Sequence, residues 1–387
     1  MSVLSANQEL PVRARIGTTA IFFANGFGIG SWAAAIPPLK AILSLSDAHL
    51  GVALLAMAAG AIATMPFAGL LAPRLGGTGH VLRYSSVAFS VCLFLPALAP
   101  SLPIFFACAL LLGASNGLMD VPMNAHATVV ERGWGAAIMS SFHAAWSCGG
   151  LVGAAFGGLL IHAGASAPGQ LGAAGAAVLL MALASLPQIG AGELTSKASA
   201  FVWPERRLIG LCVIALLAML VEGAMTDWSA VYLTDIVGVT PASAAAGYAI
   251  YASAMLTGRL CGDSAIRALG RARVIMSGAG LAAAGILLAI VTTSPIVAIG
   301  GFCLVGLGLS NMIPAVFSAS GAMGSSAALG ISMAATIGYG GFLLGPPAIG
   351  AIATYGGLRL AFMLLVLALL AVVPLAARNA GPRIFRS

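Results

Sequence analysis

The chain has 387 residues, 60% of them hydrophobic and only 7% charged, with a mean hydropathy of +1.05 and a formal net charge of +7. Soluble domains carry about 25% charged residues, so this composition excludes a water-facing globular protein and describes a chain that crosses a membrane many times. The positive balance does not call for a nucleic-acid partner, because the basic residues fall almost entirely in short loops on one side.

Arg13 and Arg15 precede the first apolar run, which imitates a cleaved leader as far as Ala33, Ala34 and Ala35. That run contains Asn25, Gly26, Gly28 and Gly30, and further apolar segments follow it, so it is read as a retained first helix. A spanning helix needs about 20 mostly apolar residues. On that measure twelve segments qualify: 14–38, 48–72, 80–99, 102–128, 136–162, 170–190, 207–235, 243–266, 273–293, 295–319, 326–353 and 357–377. The longest polar stretch, GAGELTSKASAFVWPERR, predicts a cytoplasmic linker at 191–206 between a six-helix bundle at 1–190 and another at 207–387.

With the N-terminus inside, fifteen of the seventeen Lys and Arg residues, Arg259 among them, fall on the inner side. Only Lys40 and Arg359 remain outside, which predicts that both termini are cytoplasmic. The two halves also share a faint internal symmetry. Gly149, Gly150, Gly153 and Gly158 match Gly340, Gly341, Gly345 and Gly350; Pro122 matches Pro314; Leu75-Gly76 matches Leu269-Gly270. Duplicated transporter folds show such weak repeats. Glycines at four-residue spacing (Gly26 and Gly30; Gly113 and Gly117; Gly149, Gly153 and Gly157) predict helix faces that approach closely. The six cysteines stand singly in apolar segments with no CxxC spacing, which predicts neither a disulfide framework nor a metal site.

Ionisable groups inside spanning helices mark pathways or relays, because each costs at least ~2.5–3.5 kcal/mol at the bilayer centre. Asn116, Asp120 and Asn124 stand at i, i+4 and i+8, hence on one face of the fourth helix. At ~1.5 Å per residue Asp120 lies roughly 15 Å from the cytoplasmic end, a depth that His143 and Trp146 on the fifth helix can share. Glu222 lies just past the middle of the seventh helix by the same count. These three, Asp120, Glu222 and His143, are the proton-coupling candidates, with Asp120 the primary titrating group; a structural hydrogen bond between neighbouring helices is the competing reading. Two literal matches are set aside. The G-x-S-x-G at Gly113–Gly117 lies inside a spanning helix, where a hydrolase elbow cannot form, and His126 with His143 suggests a metal site but has no third ligand at convincing spacing. No nucleotide-binding loop is present either. Enzyme activity and a cofactor are therefore not expected.

The loop GLLAPRLGG (69–77) resembles the cytoplasmic motif of the major facilitator superfamily, with Pro73 where that motif has an acid. Its counterpart GRLCGDSAIRALGRAR (258–273) keeps Asp263, Arg267, Arg271 and Arg273. MDVPMNAHATVVER (119–132), SFHAAWSCGGLVGA (141–154), EGAMTDWSAVYL (222–233), GLGLSNMIPAVFSASG (306–321) and IGYGGFLLGPPAIG (337–350) resemble the YbjJ/MosC-type bacterial permeases of that superfamily. The resemblance implies an all-α membrane protein of the bacterial inner membrane, twelve transmembrane helices in two pseudo-symmetric bundles, working by alternating access. It implies Arg74, Asp263, Arg267 and Arg271 as conformational-lock candidates. It places Asn25, Trp32, Asn311, Phe317 and Tyr339 on cavity-lining helices, where with Asn116, Asn124 and Trp146 they are substrate-binding candidates. Amide and aromatic groups suit a small polar organic solute, sugar-like or amino-acid-derived. The expected partners are that solute, the proton and the lipid bilayer, with the protein a monomer. A proton-coupled drug or metabolite exporter and a non-coupled uniporter or membrane sensor are the alternatives.

Overall fold

The computed structural model describes residues 3–44, 47–190, 205–239 and 241–379, and these are helical almost throughout. The reason is elementary. Hydrocarbon offers no partner to a peptide N–H or C=O, so an apolar run of spanning length satisfies its backbone internally, as a helix. In order the helices are α1 (Val3–Ile42), α2 (Asp47–Leu75), α3 (Thr78–Phe94), α4 (Leu102–Trp134), α5 (Met139–His162) and α6 (Ala167–Ser185). They continue with α7 (Ile209–Tyr232), α8 (Pro241–Leu269), α9 (Arg271–Val291), α10 (Pro295–Leu309), α11 (Met312–Met323) and α12 (Ala327–Asn379).

Among the described residues, eleven stretches are long and apolar enough to cross a membrane. The twelfth expected span is α8, a 29-residue helix whose Arg259, Asp263 and Arg267 lower its hydropathy. Two departures from one helix per span are informative. The tenth span is broken into α10 and α11 at Ser310 and Asn311, and α12 joins two spans through Gly357, whose φ of 79° no helix interior adopts. The predicted linker lies largely outside the described residues, which resume at Glu205.

The chain forms two compact units: Met1–Gly135 with Phe142–Val202 and Ser325–Ser332, and Ala136–Ser141 with Trp203–Gly324 and Met333–Ser387. Each is held by glycine contacts. In the first, α1 and α5 interlock, so that a Cβ at Gly26 or Gly30 would run into the carbonyls of Trp146 or Gly150, and one at Gly149 or Gly153 into those of Phe23 or Phe27. α2 and α4 meet likewise through Gly60, Gly113 and Gly117. In the second, Gly341 of α12 sits on the Leu216 carbonyl of α7, Gly306 of α10 on the Tyr251 carbonyl of α8, and Gly278 and Gly308 join α9 to α10. Such contacts replace a hydrophobic driving force that lipid cannot supply. The repeat also shows in the turns. Gly76 between α2 and α3 has φ +84° and Gly270 between α8 and α9 has φ +83°, left-handed conformations that favour glycine.

Candidate functional site

In the first unit a polar cluster joins α1, α4 and α5. The one-face spacing on α4 puts Asn124 over Asp120, and the Asn124 Nδ2 donates to the Asp120 backbone carbonyl at 2.9 Å and to Asp120 Oδ1 at 3.2 Å. A carbonyl only accepts, so Nδ2 is fixed on that side and Asn124 Oδ1 must face the other way. It faces His143 Nε2 on α5 at 3.2 Å. An amide oxygen only accepts, so Nε2 carries the hydrogen. The result is a directed chain, His143 to Asn124 to Asp120. One turn away, Asn25 of α1 donates to Asn116 Oδ1 at 2.9 Å and accepts from Trp146 Nε1 at 2.8 Å. Phe22 closes one side, stacked on Phe142 and edge-on to His143 at 5.4 Å.

Burial sorts these groups. Asn25 and Asn124 are enclosed, whereas Asn116, His143 and Trp146 keep part of their surface open. Asp120 is 9% exposed; Asn124 holds its Oδ1, and its Oδ2 has no hydrogen-bond partner. No Lys or Arg forms an ion pair with it among the described residues. The chemistry available at such a carboxyl is to take up a proton on Oδ2, and Asn124, which cannot itself shuttle one, sets its orientation.

The second unit is organised around an ion pair. Glu222 Oε1 on α7 lies 3.4 Å from an Arg259 terminal nitrogen on α8, with side-chain exposures of 17% and 6%. Arg259 Nε donates at 3.3 Å to the carbonyl of Ser310, where the tenth span breaks. Asn311 completes the junction, its Nδ2 donating to the Gly258 carbonyl at 2.7 Å and to Ser310 Oγ at 2.9 Å. Gly258 and Gly262 make the fit possible, since a Cβ there would strike Ser310 and Asn311.

Arg259 therefore does not belong with the inner-side loop charges where the orientation count puts it. It is buried within α8. The signal was present: the predicted span 243–266 already contains Arg259, four residues before Asp263 on the same face. Tyr251, one more buried member of this neighbourhood, drew no attention in the sequence.

The remaining candidates are dispersed. Trp32 is buried against Phe105 at 6.5 Å between ring centroids, and Phe317 is buried in α11. Tyr339 on α12 is half-buried beside Phe342. Both Asp263 oxygens accept from the backbone N–H of Ser141, at 3.1 and 3.2 Å, which sets a carboxylate on the first turn of α5 where a helix dipole favours it. Arg267 donates to the Ala137 carbonyl at 2.9 Å. Arg271 grips Ser318 Oγ with two nitrogens, at 2.7 and 3.0 Å, joining α9 to α11. Arg74 is exposed at the end of α2.

Helix order, paired glycine contacts and the repeated turn describe a duplicated helical transporter. The Major Facilitator Superfamily model matches residues 18–323. The chain is 38% identical over 366 residues to an uncharacterized MFS-type transporter of Yersinia pestis, covering 93% of this chain and 94% of the relative. It is 34% identical to the membrane protein MosC of Rhizobium meliloti, covering 89% and 85%. Among solved structures it superposes on the MFS transporter FucP in the outward conformation with a TM-score of 0.77 at 15% identity, covering 95% of this chain and 98% of that one. It superposes on the proton:xylose symporter XylE with a TM-score of 0.75 at 12% identity, covering 97% of each. The chain belongs to the major facilitator superfamily. It is a multi-pass membrane transporter of a small molecule, homologous to bacterial transporters, and not an enzyme.

Proposed function

We propose that this transporter moves a small polar organic solute by alternating access, coupled to the proton, with Asp120 as the coupling group. The observation that carries the reading is the Asp120 carboxyl, buried on a spanning helix with one oxygen held by Asn124, the other unpartnered, and no ion-pairing cation among the described residues. A carboxylate in that setting is stabilised by a proton, and moving the site between aqueous phases delivers that proton across. His143, Asn116, Asn25 and Trp146 offer an imidazole, amides and an indole beside it, groups that suit a hydroxylated solute. Two neighbours of the same fold are described as a fucose:proton and a proton:xylose symporter, and the analogy extends to the coupling ion. Asp263 on the first turn of α5 and Arg267 on the Ala137 carbonyl support a conformational lock at that end of α8. With Arg259 removed from the loop count, fourteen inner-side basic residues against two still favour cytoplasmic termini in a bacterial inner membrane.

The test is solute-induced pH change in lightly buffered, de-energised cells overproducing the protein, with sugars, polyols, amino acids and hydroxy acids added in turn. Alkalinisation by one solute, absent in Asp120→Asn cells that still exchange that solute in counterflow, is the expected outcome. A mutant that alkalinises the medium as well as the parent would remove Asp120 from the role. Silence across the whole panel, with the protein present in the membrane, would remove proton symport of these classes.

A further inference from the structure

The second unit holds chemistry that the Asp120 reading does not use. Arg259 is buried and pairs with Glu222, and the charge of a buried guanidinium must be balanced by an anion. Glu222 Oε1 stands 3.4 Å from the Arg259 terminal nitrogen, longer than the about 2.7–2.9 Å of a firm charge-assisted contact, so this carboxylate is the displaceable one. Two further side chains in the neighbourhood are buried with orphaned polar atoms. Tyr251, 2% exposed on α8 and two four-residue steps before Arg259 on the same helix, has no partner for its hydroxyl. Asn311, 9% exposed at the N-cap of α11, has none for its Oδ1. A spanning helix broken in its middle, with its second half starting beside a buried cation, is the arrangement by which transporters present backbone and dipole to an anionic solute group.

We propose that Arg259 is the anchor for the carboxylate of the transported solute, with Glu222 as the internal anion that the solute displaces. The proposal rests on the transporter reading above and names its substrate class: a small monocarboxylate with a hydroxyl near the carboxyl group, as in a sugar acid. Charge decides the valence. One guanidinium is balanced by one monoanion, whereas a phosphate dianion would leave the cluster net negative. The orphaned atoms decide the substituents. Tyr251 O–H donates to a carboxylate oxygen, and Asn311 Oδ1 accepts from a solute hydroxyl. The exchange also fixes a proton. When the solute carboxylate takes the place of Glu222 on Arg259, Glu222 loses its cation and binds one proton from water, so the cluster is neutral before and after. No covalent bond other than that O–H forms. The other titratable groups on the helices packed against α7 are Tyr248, Cys261, Asp263 and Arg267 on α8, Cys303 on α10 and Tyr339, Tyr355, Arg359 and Arg378 on α12, with Cys212, Asp227 and Tyr232 on α7 itself. Among the described residues on these helices, Arg259 is the cation in contact with Glu222. An amino acid brings its own ammonium, leaves Glu222 ionised, and takes up no proton.

The test uses full-length protein purified in detergent, with D-gluconate, D-glycerate and L-lactate as probes and glucose, glycerol and glycine as controls. Thermal stabilisation and binding-linked proton uptake, read in unbuffered calorimetry, are measured together. The wild type should respond to a hydroxycarboxylate and take up about one proton per molecule bound, as the exchange requires. Glu222→Gln should bind the same probe at least as tightly with no proton taken up. Glu222→Gln/Arg259→Gln, which keeps the pair neutral and foldable, should lose on the order of 10- to 100-fold in affinity, the worth of a charged hydrogen-bonded contact. Asp120→Asn is measured alongside: proton uptake lost there but kept in Glu222→Gln would put the proton on Asp120 and overturn the proposal, whereas uptake lost in Glu222→Gln supports it whatever Asp120→Asn does in the transport assay. Stabilisation by the neutral controls alone, an undiminished response in the double variant, or proton uptake that survives Glu222→Gln would each overturn the proposal.

Discussion

The two units answer the same difficulty, an acid inside a spanning helix, in opposite ways. In the first, Asp120 meets an asparagine whose own orientation is fixed by a backbone carbonyl and which accepts in turn from His143. In the second, Glu222 meets a guanidinium that is tied in turn to the broken backbone at Ser310. An arginine balances the charge of a carboxylate where it stands, whereas an amide supplies a hydrogen bond and no charge, which is why the proton role is proposed for Asp120. The first arrangement suits a group that exchanges protons with water. The second suits a group that gives up its place to another anion. The scaffold beneath them is the same, down to the glycine contacts and the left-handed turns at Gly76 and Gly270, so the difference lies in a handful of side chains.

The largest effect that tests this contrast is on the ion pair. Arg259→Gln leaves the half-buried Glu222 carboxylate without its cation and should destabilise the protein by about 3 kcal/mol, the lower end for breaking a buried pair. Adding Glu222→Gln should recover most of that loss. A double-mutant cycle on thermal or denaturant unfolding in detergent measures the coupling, and purely additive effects would mean that the 3.4 Å contact has no energetic weight. Next in size is the shared scaffold. Gly30→Val pushes a side chain into the Gly150 carbonyl, which cannot move without shifting α5. A loss of about 3 kcal/mol, at the upper end for overpacking, is expected, visible as a lower melting temperature and a lower yield of monodisperse protein.

Much of this was legible in the chain before any coordinates. Twelve apolar segments, the interlocking glycines and the Asn116–Asp120–Asn124 face follow from periodicity and spacing, which are local properties. The pairing of Glu222 with Arg259 did not follow, because it joins residues 37 positions apart on different helices. A rule that assigns arginines to loops also moved one partner out of the span. The break at Ser310 and Asn311 did have a signal in the chain: Pro314 has no N–H for the Ser310 carbonyl four residues back and its ring crowds that oxygen. What the chain alone does not show is how α8 holds the kink, through Arg259 on the freed Ser310 carbonyl and Asn311 on the Gly258 carbonyl.

A smaller effect bears on the first unit alone. Asn124→Leu removes the donor to Asp120 and the acceptor for His143 together, and should lower stability by about 1–2 kcal/mol as the buried Asp120 and the partly exposed His143 each lose a contact. His143→Gln offers Asn124 an amide N–H in place of the imidazole and should be milder. If the two variants unfold at the same temperature, the directed chain reduces to a single contact between α4 and α5.

The smallest expected change is the most diagnostic of the contrast. Asp120→Asn replaces a carboxyl by an amide of nearly the same shape in a site where no cation loses its partner. The new amide still meets Asn124, and its N–H₂ occupies the place of an oxygen that had no partner. The melting temperature should therefore move by less than the equivalent of about 1 kcal/mol, with either sign admissible. Glu222→Gln, the same chemical change in the second unit, abandons a buried guanidinium and should be clearly destabilising. Measured side by side at one pH, the two variants isolate environment from chemistry. Equal losses would mean that Asp120 has a cationic partner after all, and the reading of the first unit as a proton site would fall with it.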